Sequence, residues 1–273
     1  MNTIALPYLA ILRARFALML QYRAAAFAGF VTQCWWGIIK VMVLAAFYAG
    51  HGPQPISLAQ AITYTWLGQG LLGLLPWNAD PEISDAVESG NVAYERLRPV
   101  DTHSLWFARA IAQKTGATTL RLVPMFVVAA ILLPLAGLGD WAWKMPATPG
   151  AAALFAVSIT LALLLSSGFV VLLNVAVTAL KTRRAANIAA TIVNPLSGII
   201  VPLALMPAWA QSFLFWQPFA GLVDIPYRIY FGNLSGAAAL EGIAAQLLWV
   251  GLFILAGRFW LAEVWARVDT QGS

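Results

Sequence analysis

The sequence predicts an all-α, polytopic membrane protein with six transmembrane helices, folded as one domain over residues 1–273. Hydrophobic residues make up 61% of the chain and charged residues only 10%, whereas soluble domains carry about 25% charged residues. The mean hydropathy is +0.78. Charged residues also lie far apart, and the apolar runs between them reach the length of about 20 residues that crosses a bilayer. The chain has too few polar side chains to cover the surface of a soluble globular protein. The lipid bilayer is therefore the solvent that suits it.

The first predicted element is an interfacial helix over residues 1–23. Apolar residues recur there at helical spacing, while Arg13 and Arg15 lie off the main apolar stripe, which is typical of a helix lying on the membrane surface. A cytoplasmic extension of the first span is the alternative. The six predicted spans are the mostly apolar runs 24–50, 58–77, 117–138, 150–180, 187–206 and 240–262.

Two of the connecting segments are unusual. Residues 78–116 form the long polar segment of the chain, which we assign to the cytoplasmic side. Residues 207–239 are apolar and aromatic, but prolines and glycines divide them into pieces too short to span. Such pieces are typical of outer re-entrant half-helices.

The basic residues predict the orientation. Of the 16 lysines and arginines, all but Lys40, Lys144 and Arg228 lie in segments or helix ends that share one side of the membrane. The positive-inside rule assigns that side to the cytoplasm. We therefore expect a multi-pass protein of the cell membrane with both termini in the cytoplasm. The net charge of +5 is explained by this orientation, so nucleic acid is not an expected partner.

The chain lacks the motifs of common catalytic sites. Residues 68–73 match G-x-G-x-x-G, but they lie inside an apolar helix, where glycines favour close helix packing. The sequence contains no G-x-x-x-x-G-K-[ST] phosphate-binding loop. His51, His103 and Cys34 fall in separate segments. We therefore expect no catalytic residue, no metal site and no cofactor bound by this chain.

Lys40 is the one charge deep within a predicted span. Charges at that depth are costly and are functional candidates, so we assign Lys40 to a substrate pathway. Trp35 and Trp36 lie near the same depth and could bind an aromatic or cationic substrate. Snorkelling or pairing with a partner subunit are alternatives for Lys40, and helix packing is the alternative for the tryptophans.

The polar segment contains a short helix rich in acidic residues. Pro81 near its start, acids in its first turns and Gly90 after it predict a helix over residues 80–90. Ile83 and Val87 are four residues apart and would share one face. A helix of this kind suits docking in a groove of a soluble partner, and a solvated loop is the alternative. Six of the 11 acidic residues lie in this segment: Asp80, Glu82, Asp85, Glu88, Glu95 and Asp101.

At this segment the sequence resembles a known family. Gly90 followed by Leu97-Arg98-Pro99, just after a second span, is similar to the G…L-x-R-P element of the permease subunits of ABC exporters of the ABC-2 class. Gln217-Pro218-Phe219 before the last span is similar as well. The resemblance implies that the short helix is a coupling helix that fits a cleft on an ATPase. The coupling residues it implies are Glu82, Ile83, Asp85, Val87, Glu88, Gly90, Leu97, Arg98 and Pro99.

The resemblance also implies an assembly. Its partners would be two ABC ATPase subunits, which use ATP and Mg, a second permease chain, identical or homologous, and membrane lipid. The expected activity is export of an amphipathic or hydrophobic small molecule. A self-sufficient secondary transporter is one rival, although such proteins usually carry inverted repeats and polar sites at mid-membrane. An integral membrane enzyme is the other rival, and it would need a cluster of acids or a metal site.

Overall fold

The structure of the protein, a computed structural model, describes residues 6–21, 23–50, 52 and 54–270. Helices and their connections make up this part of the chain, which contains no β-strand, and the fold is all-α. In chain order the α-helices are α1 (Leu6–Gln21), α2 (Arg23–Gly50), α3 (Leu58–Gly70), α4 (Pro81–Glu88), α5 (Thr102–Phe126), α6 (Leu133–Leu135), α7 (Pro149–Leu180), α8 (Arg184–Ser197), α9 (Ala208–Trp216), α10 (Asp224–Tyr230) and α11 (Gly236–Thr270).

Four helical stretches of the described chain are long and apolar enough to cross a membrane. They are Phe27–Gly50, Thr102–Leu135, Pro149–Leu180 and Gly236–Arg267. The second of these stretches consists of α5, a π-helical stretch over Val127–Leu132 and α6. The protein is therefore a multi-pass membrane protein. We call the end of the bundle that carries α1 and α4 the inner end, and the opposite end the outer end.

The second and fifth predicted spans are not single helices of spanning length. Helix α3 has 13 residues and ends at Gly70, and a 3-10 turn over Leu72–Leu74 continues the chain toward the inner end. Helix α8 ends at Ser197, because Gly198 adopts a left-handed conformation with φ of 88° and so turns the chain away from the helix axis. The run 187–206 is therefore a half-length helix followed by irregular chain.

Helix α5 begins 15 residues before the predicted third span. The reason is local: Asp101 caps the helix, and its carboxylate accepts a hydrogen bond of 2.8 Å from the Ser104 N–H. The amphipathic piece expected before this span is thus continuous with it. Helix α1 packs against α5, which brings α1 beside the inner end of the bundle.

The glycines of residues 68–73 serve helix packing, as expected. A Cβ atom built at Gly70 would lie 2.8 Å from Leu122 Cδ1, and one at Gly73 would lie 3.0 Å from the Thr118 backbone nitrogen. A side chain at Gly73 would therefore push the turn after α3 away from the α5 backbone, and one at Gly70 would displace the Leu122 side chain. At the same level Trp66 is fully buried and donates a hydrogen bond of 2.8 Å to the Trp141 carbonyl.

The segment 207–239 forms short helices between α8 and α11. The chain leaves the bundle at Gly198, whose carbonyl accepts a hydrogen bond of 2.9 Å from Tyr64. It returns at Gln217, whose side chain donates a hydrogen bond of 2.8 Å to the Leu196 carbonyl. Helices α9 and α10, with 9 and 7 residues, are each too short to span. Trp209 on α9 is 85% exposed, so α9 lies at the edge of the bundle.

Candidate functional site

Helix α4 has a capping residue at its start and a left-handed glycine beyond its end. The Asp80 carboxylate accepts a hydrogen bond of 3.0 Å from the Glu82 N–H, and Pro81 occupies the first turn. Beyond the other end Gly90 adopts a left-handed conformation with φ of 75°, which only glycine adopts at no steric cost. Asn174 of α7 accepts a hydrogen bond of 2.8 Å from the Asp80 N–H. These contacts fix where α4 begins and how it lies under the bundle.

Arg109 of α5 holds the start of α4. Its Nη2 lies 2.5 Å from Glu82 Oε2, and its Nε lies 3.5 Å from Asp80 Oδ2. Its Nη1 also lies 3.4 Å from Glu95 Oε2. The side chains of Asp80 and Arg109 are 3% and 8% exposed, so these charges are shielded from water and attract each other more strongly than surface charges do. Arg109 therefore connects both the start of α4 and the chain around Glu95 to α5.

Arg15 joins α1 to the same carboxylates. Its Nη2 lies 2.5 Å from Glu82 Oε2 and 3.7 Å from Asp80 Oδ2. At the other edge Arg98 lies 3.2 Å from Glu95. We call these six residues the inner-end ion network: Arg15, Asp80, Glu82, Glu95, Arg98 and Arg109.

A second clamp holds the far end of α4. Arg183, between α7 and α8, lies 2.5 Å from Asp85 Oδ1 and 2.6 Å from Glu88 Oε1. The hydrogen bonds to Glu88 and then Asp85 raise the pKa of Arg183 above its ordinary value. Helix α4 is thus tied to α1, to α5 and to the junction of α7 and α8.

The apolar face of α4 points into the bundle, which corrects one expectation. Ile83 is 1% exposed and packs in a cluster with Trp106, Val171 and Trp265, and Val87 packs partly buried against the same cluster. Helical spacing correctly places Ile83 and Val87 on one face, but the bundle covers that face. In this arrangement Ile83 cannot be a docking side chain for a soluble partner. The physical reason is that the aromatic and branched side chains of α5, α7 and α11 bury it.

The exposed apolar side chains of this region come from the residues after α4. Leu97 is 77% exposed and Tyr94 is 66% exposed. Gly90 and Pro99 are exposed beside them, and so are the carboxylates of Asp85 and Glu88. We call Asp85, Glu88, Gly90, Tyr94, Leu97 and Pro99 the inner-end face. Sequence reasoning missed Tyr94, which precedes the predicted Leu97–Pro99 turn.

Lys40 lines a cavity of about 210 Å³ between α2, α3 and the chain after Gly198. Tyr64, Thr65 and Gln69 supply polar groups, and Ile199 is among the apolar residues that line it. No hydrogen bond or ion pair to Lys40 occurs among the described residues.

Trp35 and Trp36 do not share this cavity. They are 64% and 54% exposed on the outside of α2, where lipid or another chain would meet them. The structure therefore separates them from Lys40, with which the sequence grouped them.

A second cavity, of about 240 Å³, is lined by two basic side chains that the sequence analysis assigned only to cytoplasmic helix ends. Lys114 and Arg121 of α5 line it, together with Leu75 and Trp77. Lys114 is 7% exposed and donates a hydrogen bond of 2.9 Å to the Leu75 carbonyl. The sequence does contain a signal for this pair. Lys114 and Arg121 are seven residues apart, which places both side chains on one face of a helix.

Groups typical of metal centres are absent from the part of the chain that the structure describes: no cluster of three or more His, Cys, Asp or Glu side chains suits a metal ion there. His103 is buried, and neither of its ring nitrogens has a hydrogen-bond partner among the described residues. His51 lies outside the described residues.

Comparison with known proteins identifies the family. The sequence profile of a family described as "ABC-2 family transporter protein" matches residues 54–266, which include α3 to nearly the end of α11. No curated protein matches the chain. Membrane components of this family typically work with ABC ATPases. The profile covers well over half of the chain, so this protein belongs to the ABC-2 family and is a permease subunit of an ABC transporter.

Proposed function

We propose that this permease exports an amphipathic or hydrophobic small molecule across the cell membrane, driven by separate ATPase subunits. The observation that carries the proposal is how α4 is held. Arginines from α1, from α5 and from the α7–α8 junction bind its carboxylates, while Tyr94 and Leu97 beside it stay exposed. The inner-end face is thus an accessible surface attached firmly to the membrane helices.

This attachment supports a mechanical role for α4 as the coupling helix. A partner that binds Leu97 and Tyr94 and then moves would displace α4, and the ion network would transmit the displacement to α1 and α5. The link to α5 is firm because Asp80 and Arg109 are buried, and removing one partner of a buried ion pair costs about 3–5 kcal/mol. Ile83 adds a packed contact to α7 and α11 through its cluster. Such rigid-body shifts of helices are a common form of switching.

The proposed assembly contains two ABC ATPases and a second permease chain, identical or homologous. The ATPases use ATP with Mg, and this chain binds no cofactor of its own. The inner-end face and both termini lie in the cytoplasm, as the basic residues predict. Glu82, Ile83 and Val87 then act within the permease, whereas the inner-end face contacts the ATPase.

The first test is the composition of the purified complex. A tagged chain purified in mild detergent from its native membranes is expected to retain an ABC ATPase in a 1:1 ratio of chains, identified by mass spectrometry. A pure chain that takes up a substrate along an ion gradient without any ATPase would contradict the proposal and favour a secondary transporter.

A matched pair of variants tests the surface. Leu97→Asp should abolish ATPase retention, because it places a charge on the most exposed apolar side chain of the inner-end face. Met145→Asp changes a similarly exposed apolar residue, 70% exposed at the outer end, and should retain the ATPase as the parent does. Equal retention by Leu97→Asp and the parent would show that the ATPase binds elsewhere.

A further inference from the structure

Three cations in the helices of the bundle have no acidic partner in the described chain. Lys40 lines one cavity, and Lys114 and Arg121 line the other. None of the described residues that line these two cavities is acidic. Charges within a membrane protein are expensive and are usually paired or functional. These three cations therefore need an explanation that the coupling role of α4 does not provide.

Acidic residues at the inner end of the bundle, and the buried Asp224, are engaged in other ion pairs. Asp80, Glu82 and Glu95 belong to the inner-end ion network. Asp85 and Glu88 bind Arg183. The buried Asp224 lies beside Gly198, close to the Tyr64 side chain that lines the Lys40 cavity, but its carboxylate pairs with Arg228 at 3.5 Å. These carboxylates therefore do not compensate Lys40, Lys114 or Arg121.

The three cations are arranged along the direction of transport. Lys114 and Arg121 are separated by about 10 Å along α5 and share one face. A Cβ atom at Gly29 of α2 would lie 3.8 Å from the Arg121 guanidinium, so this guanidinium is level with Gly29. Lys40 is three helical turns beyond Gly29, about 16 Å further toward the outer end and on nearly the same face.

The cavity at Lys114 and Arg121 has room and chemistry for an anionic group. Its volume of about 240 Å³ is several times the roughly 30 Å³ that a water molecule occupies in the liquid. Arginine offers a planar fork of donors to a carboxylate or phosphate, and lysine offers a compact charge. Trp77, 46% exposed, and Asn78 line the same cavity near its inner end.

We propose that this permease recognises an anionic amphiphile, whose carboxylate, sulfate or phosphate binds Lys114 and Arg121, and that Lys40 is the next cation along its path. The inference rests on the proposed transport function and names its substrate class. The headgroup exchanges its hydration for the two cations, while the apolar tail remains in contact with the lipid-facing surface of the helices. The ligand supplies the negative charge that the cavity lacks.

The test measures binding, independently of ATP hydrolysis. The full chain in phosphatidylcholine nanodiscs is titrated with radiolabelled dodecyl phosphate, and empty nanodiscs give the background. Arg121→Gln should weaken binding at least about tenfold, because charge-assisted hydrogen bonds are lost. Arg121→Lys should keep binding within about threefold of the parent. Lys144→Gln removes an exposed outer-end cation that hydrogen-bonds the Gly139 carbonyl and should bind as the parent does.

A second variant keeps the test valid if Arg121→Gln does not fold. Gln113 lines the same cavity, and Gln113→Glu adds a carboxylate that competes for the two cations and should also weaken binding about tenfold. Parent-like binding by folded Arg121→Gln or Gln113→Glu would overturn the inference. So would inorganic phosphate binding as tightly as dodecyl phosphate, since the apolar tail would then contribute nothing.

Two further measurements identify the source of the ligand and separate the two proposals. Competition by added phosphatidylglycerol would identify a lipid headgroup as an occupant, and the absence of competition would identify a non-lipid amphiphile; each result supports the anionic site. Leu97→Asp should bind dodecyl phosphate normally. Loss of ATPase contact therefore cannot be mistaken for loss of the headgroup site.

Discussion

At the scale of single residues, the inner end of the bundle depends on a few buried charges. Asp80 and Arg109 are almost completely shielded from water. Loss of Arg109 would leave Arg15, 3.7 Å away, to compensate the buried Asp80 carboxylate, and a buried charge with weakened pairing is costly. Exposed pairs contribute much less, about 0–1 kcal/mol. The buried members of the network thus hold the position of α4, and the exposed members add little to stability.

Ile83 provides the residue-scale prediction. Ile83→Asp should lower the free energy of unfolding by at least about 2–5 kcal/mol, because it removes a buried apolar side chain and buries a carboxylate. Ile83→Val should cost only about 0.5–1.5 kcal/mol. Thermal unfolding of the purified chain in detergent measures both. Asp85→Asn is the control on the exposed face of α4, and a stable Ile83→Asp protein that fails only in ATPase binding would show that Ile83 faces the partner.

At the scale of elements, α4 is positioned by contacts at both ends. The Asp80 cap and Arg109 hold its start, and Arg183 holds its end. The Arg183 pairs are largely exposed, so they contribute little stability, yet they form the connection from α4 to the α7–α8 junction. Loss of Arg183 should therefore change the stability of the protein little but change how α4 is connected to the bundle, and the two effects can be measured separately.

The element-scale prediction uses two neighbouring arginines. Arg183→Gln should reduce the substrate exported per ATP hydrolysed severalfold, with a change in melting temperature of no more than about 2–4 °C. Proteoliposomes that contain the permease and its ATPase give both rates. Arg184→Gln, one residue further on, removes an exposed cation with no side-chain hydrogen bond among the described residues and should transport as the parent does. Equal loss in both variants would assign the effect to basic charge alone.

At the scale of the whole molecule, the two ends of the bundle differ in chemistry. The inner end holds the ion network and the inner-end face, and the outer end holds the short aromatic helices α9 and α10. We therefore expect the ends to face different compartments, as the distribution of lysine and arginine predicts.

Cysteine labelling tests this orientation. The chain has a single cysteine, Cys34, so Cys34→Ser gives a clean background. In intact cells a membrane-impermeant maleimide should label Met145→Cys and should label Leu97→Cys only after permeabilisation. The opposite pattern would invert the proposed topology and place the inner-end face outside the cell.

Much of the fold and part of the site could be predicted from the sequence. The all-α class and the family are confirmed, and α4 lies where Pro81 and Gly90 predict it. Those signals are local, because a cap or a left-handed glycine acts within one helical turn. The early end of α3 was not predictable in this way, because Gly70 lies where α3 meets Leu122 of α5. The end of α8 follows from the left-handed Gly198, which is a local signal.

The sequence by itself determined that the chain lies in a bilayer, that it is helical, which family it resembles and that it contains a short acidic helix. Composition and the chemistry of neighbouring residues decide these features, and both depend only on the order of residues in the chain. Only the tertiary structure decided that Ile83 faces the bundle, that Arg109 and Arg183 hold α4 from elements far away in sequence, and that Lys114 and Arg121 share a cavity. Those outcomes depend on which helix faces lie together, and packing in three dimensions sets that.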